Sequence, residues 1–468
     1  MVEIRLFNTL THKKEDFIPI KEGHVGLYTC GPTVYWYAHI GNLRTYIFED
    51  ILKRMFLHNG LKVKHVMNIT DVGHLTSDAD EGEDKMLKGA KREGKTVWEV
   101  AKFYEKAFFD DTKKLNIIDP DVTCKATDHI KNMIHLIQRL EKNHMTYVAD
   151  GNVYYDIMKF HAYGKLANLN LEELQAGSRI EVDKNKHNPH DFVLWFTKSK
   201  FQDQEMKWSS PWGTGYPGWH IECSAMSMRY LGEEFDIHCG GIDHIPVHHT
   251  NEIAQSEGAT GHKWVNYWLH GEFLVMDKGK MSKSSGEILT LAVLEKNGYH
   301  PLDYRYLCLN THYKTPLTFS YESLDAARNA LNSLKSKVLE LKKSKDKIEH
   351  KLDMDKYRRE FLESIDDDLN IPKALSLIWK LIREEKELND KEKYDLILEF
   401  DSVFGLNLEN VVEEKVDVPD EVKKLVSERE IARKKKDFKK SDELRDHIYA
   451  KGFLIDDTSD GTKIRKRQ

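Results

Sequence analysis

Apolar residues near the start of the chain alternate between strand-like and helix-like spacing. Residues 25–30, VGLYTC, read as a short strand, followed by a turn-rich GPTVYWYAHIGN. In LRTYIFEDILKRMFLHN the apolar positions are 43, 47, 51 and 55, and again 48, 52 and 56, the spacing of a buried helix face, with Gly60 placed as a C-cap. KVKHVMNIT then returns to a strand, so strand, helix and strand form a βαβ unit whose crossover is expected to be right-handed. Ligands of open α/β sheets bind beyond the strand C-termini, which puts Cys30, His39 and Thr70 on the binding edge.

A second block of this kind runs from Trp219 to Ser285: FDIHC as strand, GGID as turn, PVHHTNEIAQ as helix and WVNYWLH as strand. With Pro246 in its first turn and Gly258 as its stop, the helix PVHHTNEIAQSEG carries His248 and Glu252 four residues apart on one face. That pair is either an ordinary polar contact or half of a metal site. Between the blocks, residues 111–208 read as an insertion with its own helix, HIKNMIHLIQRLEKN, and strand-like NVYYDI and DFVLWF. Beyond Tyr321, apolar residues at 324, 327, 331, 334, 338 and 341 open a run of amphipathic helices that predicts an antiparallel bundle. After the linker EKVDVPDE comes a small module of two helices and a hairpin.

The expected fold is therefore α/β: a Rossmann-like parallel-sheet catalytic domain with an inserted α+β segment, then the bundle and the C-terminal module. The boundaries read from the chain are 1–110 and 209–270 for the two halves of the catalytic domain, 111–208 for the insertion and 271–320 for a loop and stem-contact region. The bundle spans 321–408 and the terminal module 417–468.

Composition adds limits. A chain of 468 residues with 40% hydrophobic and 10% aromatic content has ample core for several domains. No apolar run approaches the ~20 residues of a membrane span, and MVEIRLFNTLTHKKEDF lacks the pattern of a secretory signal, so a cytoplasmic protein with no membrane partner is expected. Five cysteines, at 30, 124, 223, 239 and 308, read as reduced thiols, some of them possible ligands. The net charge of −6 argues against indiscriminate coating of nucleic acid but allows a local basic face.

Two short segments carry chemistry. HIGN at 39–42 stands where a strand turns into a helix, whose N-terminus offers unpaired N–H groups to a phosphate; His39 can donate and Gly41 leaves room for a purine. KMSKS at 280–284 has the lysines and serines to wrap a triphosphate. Each alone is also consistent with a plain turn or a solvated loop.

Together, and in this order, they resemble the two signatures of class I aminoacyl-tRNA synthetases, and in detail the cysteinyl-tRNA synthetase family. FNTLT, YTCGPTVYWYAHIGNLR, NITDVG, NPHDFVLW, PGWHIECSAM, FDIHCGGIDHIPVHHTNEIAQS, KMSKS and the closing KKSDELRDHI pattern are all similar to that family, over nearly the whole chain. The resemblance implies a zinc ion held by Cys30, Cys223, His248 and Glu252, a borderline-soft donor set suited to Zn²⁺. It implies a cysteine pocket of Thr70, Trp219, His238 and Asp243, and an ATP site of His39, Gly41, Asn42, Gly240, Gly241, Asp243 and Lys283. The implied catalytic groups are His39, Asn42, Lys280 and Lys283, with Mg²⁺ accompanying ATP.

The implied reaction is the activation of L-cysteine to cysteinyl-adenylate, followed by transfer to the terminal adenosine of tRNA(Cys) by a monomer. Arg433, Lys435, Lys436, Phe438 and Arg445 are the expected tRNA contacts, a basic cluster with an aromatic interleaved. Three positions depart from the family pattern: Asn42 where histidine is usual, Thr250 where glutamate is common and Cys239 where glycine is frequent. Cys239, His244 and His249 are rival ligands by proximity. Competing readings are a cysteine ligase with an amino-sugar acceptor, which would lack the terminal module, and a non-catalytic paralogue, which would have eroded signatures.

Overall fold

The computed structural model describes residues 3–73, 85–169, 184–198, 205–276, 288–412, 418–458 and 461–466. A short antiparallel ribbon, β1 (Arg5–Asn8) and β2 (Lys13–Asp16), precedes the βαβ unit. That unit is β3 (His24–Thr29), α1 (Ile40–His58) and β4 (Lys62–Ile69). Asn59 caps α1 and Gly60 follows at φ 78°, the left-handed turn that glycine takes without strain. The crossover from β4 to β5 (Val122–Lys125) carries α2 (Lys85–Glu93) and α3 (Val97–Lys114).

The insertion follows: α4 (Ile130–Lys142) and an antiparallel sheet of β6 (Thr146–Ala149), β7 (Asn152–Tyr155), β8 (Phe192–Phe196) and β9 (Tyr216–Pro217). A helix over Trp219–Leu231 leads into β10 (Phe235–Gly241), and a helix over Thr250–Thr260 into β11 (Val265–Gly271). The central sheet runs β11-β10-β3-β4-β5, every pairing parallel. Its fifth strand, β5, falls within the range 111–208 that the sequence assigns to the insertion.

From β3 the chain moves one way to β4, and from β10 the other way to β11. The order therefore reverses between β3 and β10, and the cleft beyond those strand ends is where such sheets bind ligands. Apolar residues of α1 (Leu43, Ile47, Leu52, Met55) bury against the sheet in one continuous core shared with the bundle.

The bundle has four helices, Tyr321–Lys342, Lys351–Ile365, Ile371–Arg383 and Asp390–Phe404, the last of which packs on α1. A buried knot fastens this joint. Arg305 Nη2 donates to Asp50 Oδ2 of α1 at 2.5 Å and its Nε to the Phe404 carbonyl at 2.7 Å, while Arg54 holds the same Asp50 oxygen at 2.8 Å. The C-terminal module pairs helices Asp420–Lys434 and Phe438–Ala450 with an antiparallel hairpin, Phe453–Thr458 and Gly461–Lys466.

Candidate active site

Cys30 follows β3, with its N–H donating to the Cys239 carbonyl at 3.3 Å. Cys223 lies on the helix Trp219–Leu231, His248 in a π-helical turn over Ile245–His249, and Glu252 in the first turn of Thr250–Thr260. This helix corrects one expectation: Gly258 does not stop it. The helix runs to Thr260 and ends at Gly261 in the left-handed conformation, with Gly258 packed so closely that a Cβ there would meet the Tyr155 hydroxyl at 2.7 Å.

The donor atoms of Cys30, Cys223, His248 and Glu252 all lie within 4.8 Å of one another, and all four residues are buried. A second group, Cys30, His238, His249 and Glu252, meets the same distance. In that group both histidines are already engaged at both ring nitrogens. His238 contacts the Cys239 carbonyl (3.2 Å) and Glu252 Oε2 (2.9 Å), and His249 contacts His270 Nε2 (2.7 Å) and Cys30 Sγ (3.3 Å). His238 thus touches Glu252 and His249 touches Cys30, the positions that outer partners of metal ligands take when the first group binds.

Glu252 Oε1 behaves differently. It lies 2.8 Å from His248 Nε2 and 4.0 Å from His249 Nε2, without the alignment of a hydrogen bond to either. These two donors and the two sulfurs all lie within 4.8 Å of one another, a spacing that one metal ion can bridge. His248 Nδ1 meets His220 Nδ1 at 2.9 Å, which leaves Nε2 for that ion. The donor set thus fits zinc in kind and number.

Electrostatics agrees. Burial alone would raise Glu252, but His248 and His238 bring its carboxyl down to about 2. Burial likewise opposes the charge on His248, yet Glu252 and Cys223 hold it up at about 10. Burial and then Cys223 push the Cys30 thiol well up; Cys223 itself, raised by burial, is brought below its usual value by Cys30 and His248. Without an ion, protonated His248 balances the Glu252 carboxylate and the Cys30 thiol keeps its proton; a cation held by the four would displace those protons.

Cys30, Cys223 and His248 line a cavity of about 280 Å³ whose walls include His39, Asn42, Thr70, Trp219 and Asp243, while Glu252 lies behind them, outside its lining. His39 caps α1: its Nδ1 accepts from Asn42 N–H at 3.1 Å, and Asn42 Oδ1 accepts from His39 N–H at 3.2 Å. Partial burial pushes the His39 ring down, against the pull of Asp243. A neutral ring whose Nδ1 accepts carries its proton on Nε2. Gly41 is required by this arrangement, since a Cβ would come within 2.9 Å of the His39 ring. Gly240 similarly leaves room for His249 and His244, whose atoms a Cβ would meet at 2.8 and 2.6 Å, and Gly241 leaves room for the Asp243 carboxylate.

Of the expected cysteine pocket, Trp219 stacks on His248 with ring centroids 4.3 Å apart, and Asp243 stands at the mouth. Thr70 reaches the cavity wall but donates to Glu222 Oε2 at 3.1 Å. His238 touches Glu252 and is fully buried. Cys239 is buried in the apolar core on the α1 side of the sheet, and neither it nor His244 joins a ligand group among the described residues. Lys280 and Lys283 lie outside the described residues. Arg433, Lys435, Lys436, Phe438 and Arg445 are all exposed on the terminal helices and the turn between them.

Sequence reasoning missed His220, His270 and Glu222. Each is legible only as part of the WHIECS and WLH strings, because what they touch comes from distant segments.

Residues 16–329 match the family of class I (C) tRNA synthetase catalytic domains, and residues 415–465 the cysteinyl-tRNA ligase anticodon-binding domain. A cysteine–tRNA ligase of Treponema denticola is 53% identical, covering 99% of this chain and 100% of its own length. One from Borrelia turicatae is 45% identical, covering 99% of each. Mycobacterium tuberculosis methionyl-tRNA synthetase, solved in complex with methionyl-adenylate, shares the fold at a TM-score of 0.54 and 15% identity, over 84% of this chain and 92% of its own. With two domain matches in order and relatives similar from end to end, the chain belongs to the cysteine–tRNA ligase family of class I tRNA synthetases.

Proposed function

We propose that this chain is a cysteine–tRNA ligase that joins L-cysteine to ATP as cysteinyl-adenylate and passes the aminoacyl group to tRNA(Cys). The observation that carries the reading is the four-donor group of Cys30, Cys223, His248 and Glu252, three of which line the same cavity as His39 and Asn42 of HIGN. When bound by Cys30, Cys223, His248 and Glu252, zinc supplies a Lewis acid that takes a substrate thiolate well and a serine hydroxyl poorly. Shape alone would separate two such similar side chains by only about 1–3 kcal/mol, so selection by a thiolate-preferring site removes the need for editing.

This chain's residues do the rest. Trp219, held flat against His248, walls the pocket over the substrate side chain, and Asp243 at the mouth suits the amino group or the ribose. The substrate carboxylate attacks the α-phosphate in line and pyrophosphate leaves. Charge that develops on the phosphate meets the His39 Nε2–H and the N-terminus of α1. Lys280 and Lys283, with Mg²⁺ on the nucleotide, are assigned to the triphosphate on the KMSKS match alone. In the second step the terminal adenosine hydroxyl, the 2′-hydroxyl in class I, attacks the activated carbonyl and AMP departs. The exposed Arg433, Lys435, Lys436, Phe438 and Arg445 are proposed to grip the tRNA at its anticodon end.

The amino-sugar ligase reading is disfavoured by the anticodon-domain match at 415–465. No helix among the described residues is long and apolar enough to cross a membrane; a cytoplasmic monomer is proposed on the family resemblance alone. The test is ATP–pyrophosphate exchange with each amino acid, without tRNA, on zinc-loaded and chelated protein. Exchange with cysteine, none with serine, and collapse on chelation are expected; no exchange with cysteine in the presence of zinc would overturn the reading.

A further inference from the structure

The mouth of the cavity carries a group of aromatic rings that the chemistry described above does not use. Tyr37, two residues before His39, is 39% exposed, and Phe103 of α3 is 43% exposed. Their ring centroids are 6.1 Å apart, and each meets Tyr104 edge-on at 5.0 Å. Trp36 closes the group from the cavity side, 5.8 Å from Tyr37 and 5.7 Å from Tyr104. Two cations are laid into it: the Arg92 guanidinium is 3.4 Å from the centre of the Trp36 ring, and Lys95 Nζ is 4.7 Å from that of Phe103.

Burial accounts for Trp36 and Tyr104, which rest on the small core that α2 and α3 form beside β4. It does not account for Tyr37 and Phe103, which keep much of their surface in water. Exposed aromatic rings interleaved with arginine and lysine are the chemistry of a single-stranded nucleic acid site: bases stack on the rings while the cations meet phosphates. The position agrees. Trp36, Tyr37 and Tyr104 also line the cavity, so the patch is continuous with the reaction site. It joins the segment between β3 and α1 (Trp36, Tyr37) to the β4–β5 crossover (Arg92, Lys95, Phe103, Tyr104), on the sheet edge from which the insertion springs.

We propose that Tyr37 and Phe103, with Arg92 and Lys95, form the platform on which the unpaired 3′ end of the tRNA stacks as its terminal adenosine enters the cavity. This rests on the reading that the acceptor is tRNA. Phe103 and Lys95 lie outside the cavity wall, so they separate the platform from the activation chemistry.

The experiment compares the full-length native protein with the double variant Lys95→Ala/Phe103→Ala in two assays. Pyrophosphate exchange without tRNA is expected to be unchanged. Single-turnover transfer from enzyme-bound cysteinyl-adenylate to tRNA is expected to slow about tenfold for each stacked base lost, which is about 1.4 kcal/mol. Phe103→Trp retains the native transfer rate, because any aromatic face serves. Intact tRNA binds the double variant more weakly than the native protein, while tRNA stripped of its unpaired 3′ nucleotides binds both alike. Native transfer by the double variant would overturn the platform, and so would equal losses in exchange and transfer, or equal weakening with stripped tRNA. Absence of exchange in the native protein would instead overturn the ligase reading, so the two failures are distinguishable.

Discussion

His39 and Asn42 cap the same helix turn from opposite directions. Asn42 N–H donates to His39 Nδ1 at 3.1 Å, and His39 N–H donates to Asn42 Oδ1 at 3.2 Å. Asparagine in the last place of HIGN therefore does more than stand in for a phosphate donor, because its side-chain oxygen holds the backbone of the histidine whose ring Nδ1 faces its own N–H. Asn42→Ala is expected to lose about 1 kcal/mol of stability as the cap opens. It should also slow adenylate formation by about a hundredfold, because the His39 backbone loses the oxygen that anchors it and the ring shifts with it, although the N–H that faces its Nδ1 remains. Asn42→Asp keeps the acceptor and recovers stability in a denaturant titration, but it brings negative charge to the phosphate site, and its exchange rate stays low.

The metal prediction concerns content before rate. Cys223→Ser and Glu252→Gln each remove one of four donors, and purified protein should then hold much less than one zinc per chain, measured by elemental analysis. His238→Gln and His249→Gln alter only outer partners, so metal affinity should drop by about 10–100-fold rather than vanish. Equal loss in all four variants would mean that the ligand set is misassigned.

Gly31 adjoins Cys30, one of the four proposed ligands, and a Cβ there would overlap the Asn68 carbonyl oxygen. Backbone cannot yield as a side chain can. Gly31→Ala is expected to force β3 and β4 apart at their binding ends, costing about 1–3 kcal/mol and lowering zinc content even though no ligand changes. Thermal unfolding and metal analysis of the one variant check both effects.

His65 gives a pH signature. A buried residue of β4 with its Nε2 2.9 Å from Thr29 Oγ1, it is pushed down to about 3, first by burial and then by Lys53. Because the folded value is below that of the unfolded chain, the unfolded state binds the proton first. The group costs nothing above about pH 6.5. Below that, its penalty grows by about 1.4 kcal/mol per pH unit, and growth stops near pH 3. His65→Gln should flatten stability against pH between pH 6 and 4 relative to the native chain, as read from denaturant midpoints at constant ionic strength.

Arg305 is completely buried and joins α1 to the bundle through Asp50 and the Phe404 carbonyl. Arg305→Met leaves those acceptors without their donor and should cost on the order of 3 kcal/mol; Arg54, still 2.8 Å from Asp50, limits the loss. Adding Asp50→Asn should recover part of it, a coupling that a double-mutant cycle measures.

Local pattern was enough for much of this protein. The 3.6-residue stripe of α1, the strand on either side of it and Gly60 beyond its end are set by neighbours in sequence, so the βαβ unit was legible without tertiary information. So were the bundle, whose apolar positions 324, 327, 331, 334 and 338 are all buried, and the two helices and hairpin at the end. The four proposed zinc ligands were nameable only through family resemblance to separate strings, since Cys30 and Glu252 are far apart in the chain and no spacing rule joins them.

Tertiary structure decided what depends on distant segments meeting. It carried the helix after Ile245 past Gly258 to Gly261, because Gly258 lies against Tyr155 from the insertion and so serves packing rather than termination. It separated Cys239 from the ligand groups by burying that thiol in the α1-side core, and it placed His238 against Glu252 and His249 against Cys30. Residue type and local spacing determine which helices, strands and donor chemistry a chain can offer. Which donors share one point, and which glycines are indispensable, is decided only when the sheet brings β3, β10 and their flanking helices together.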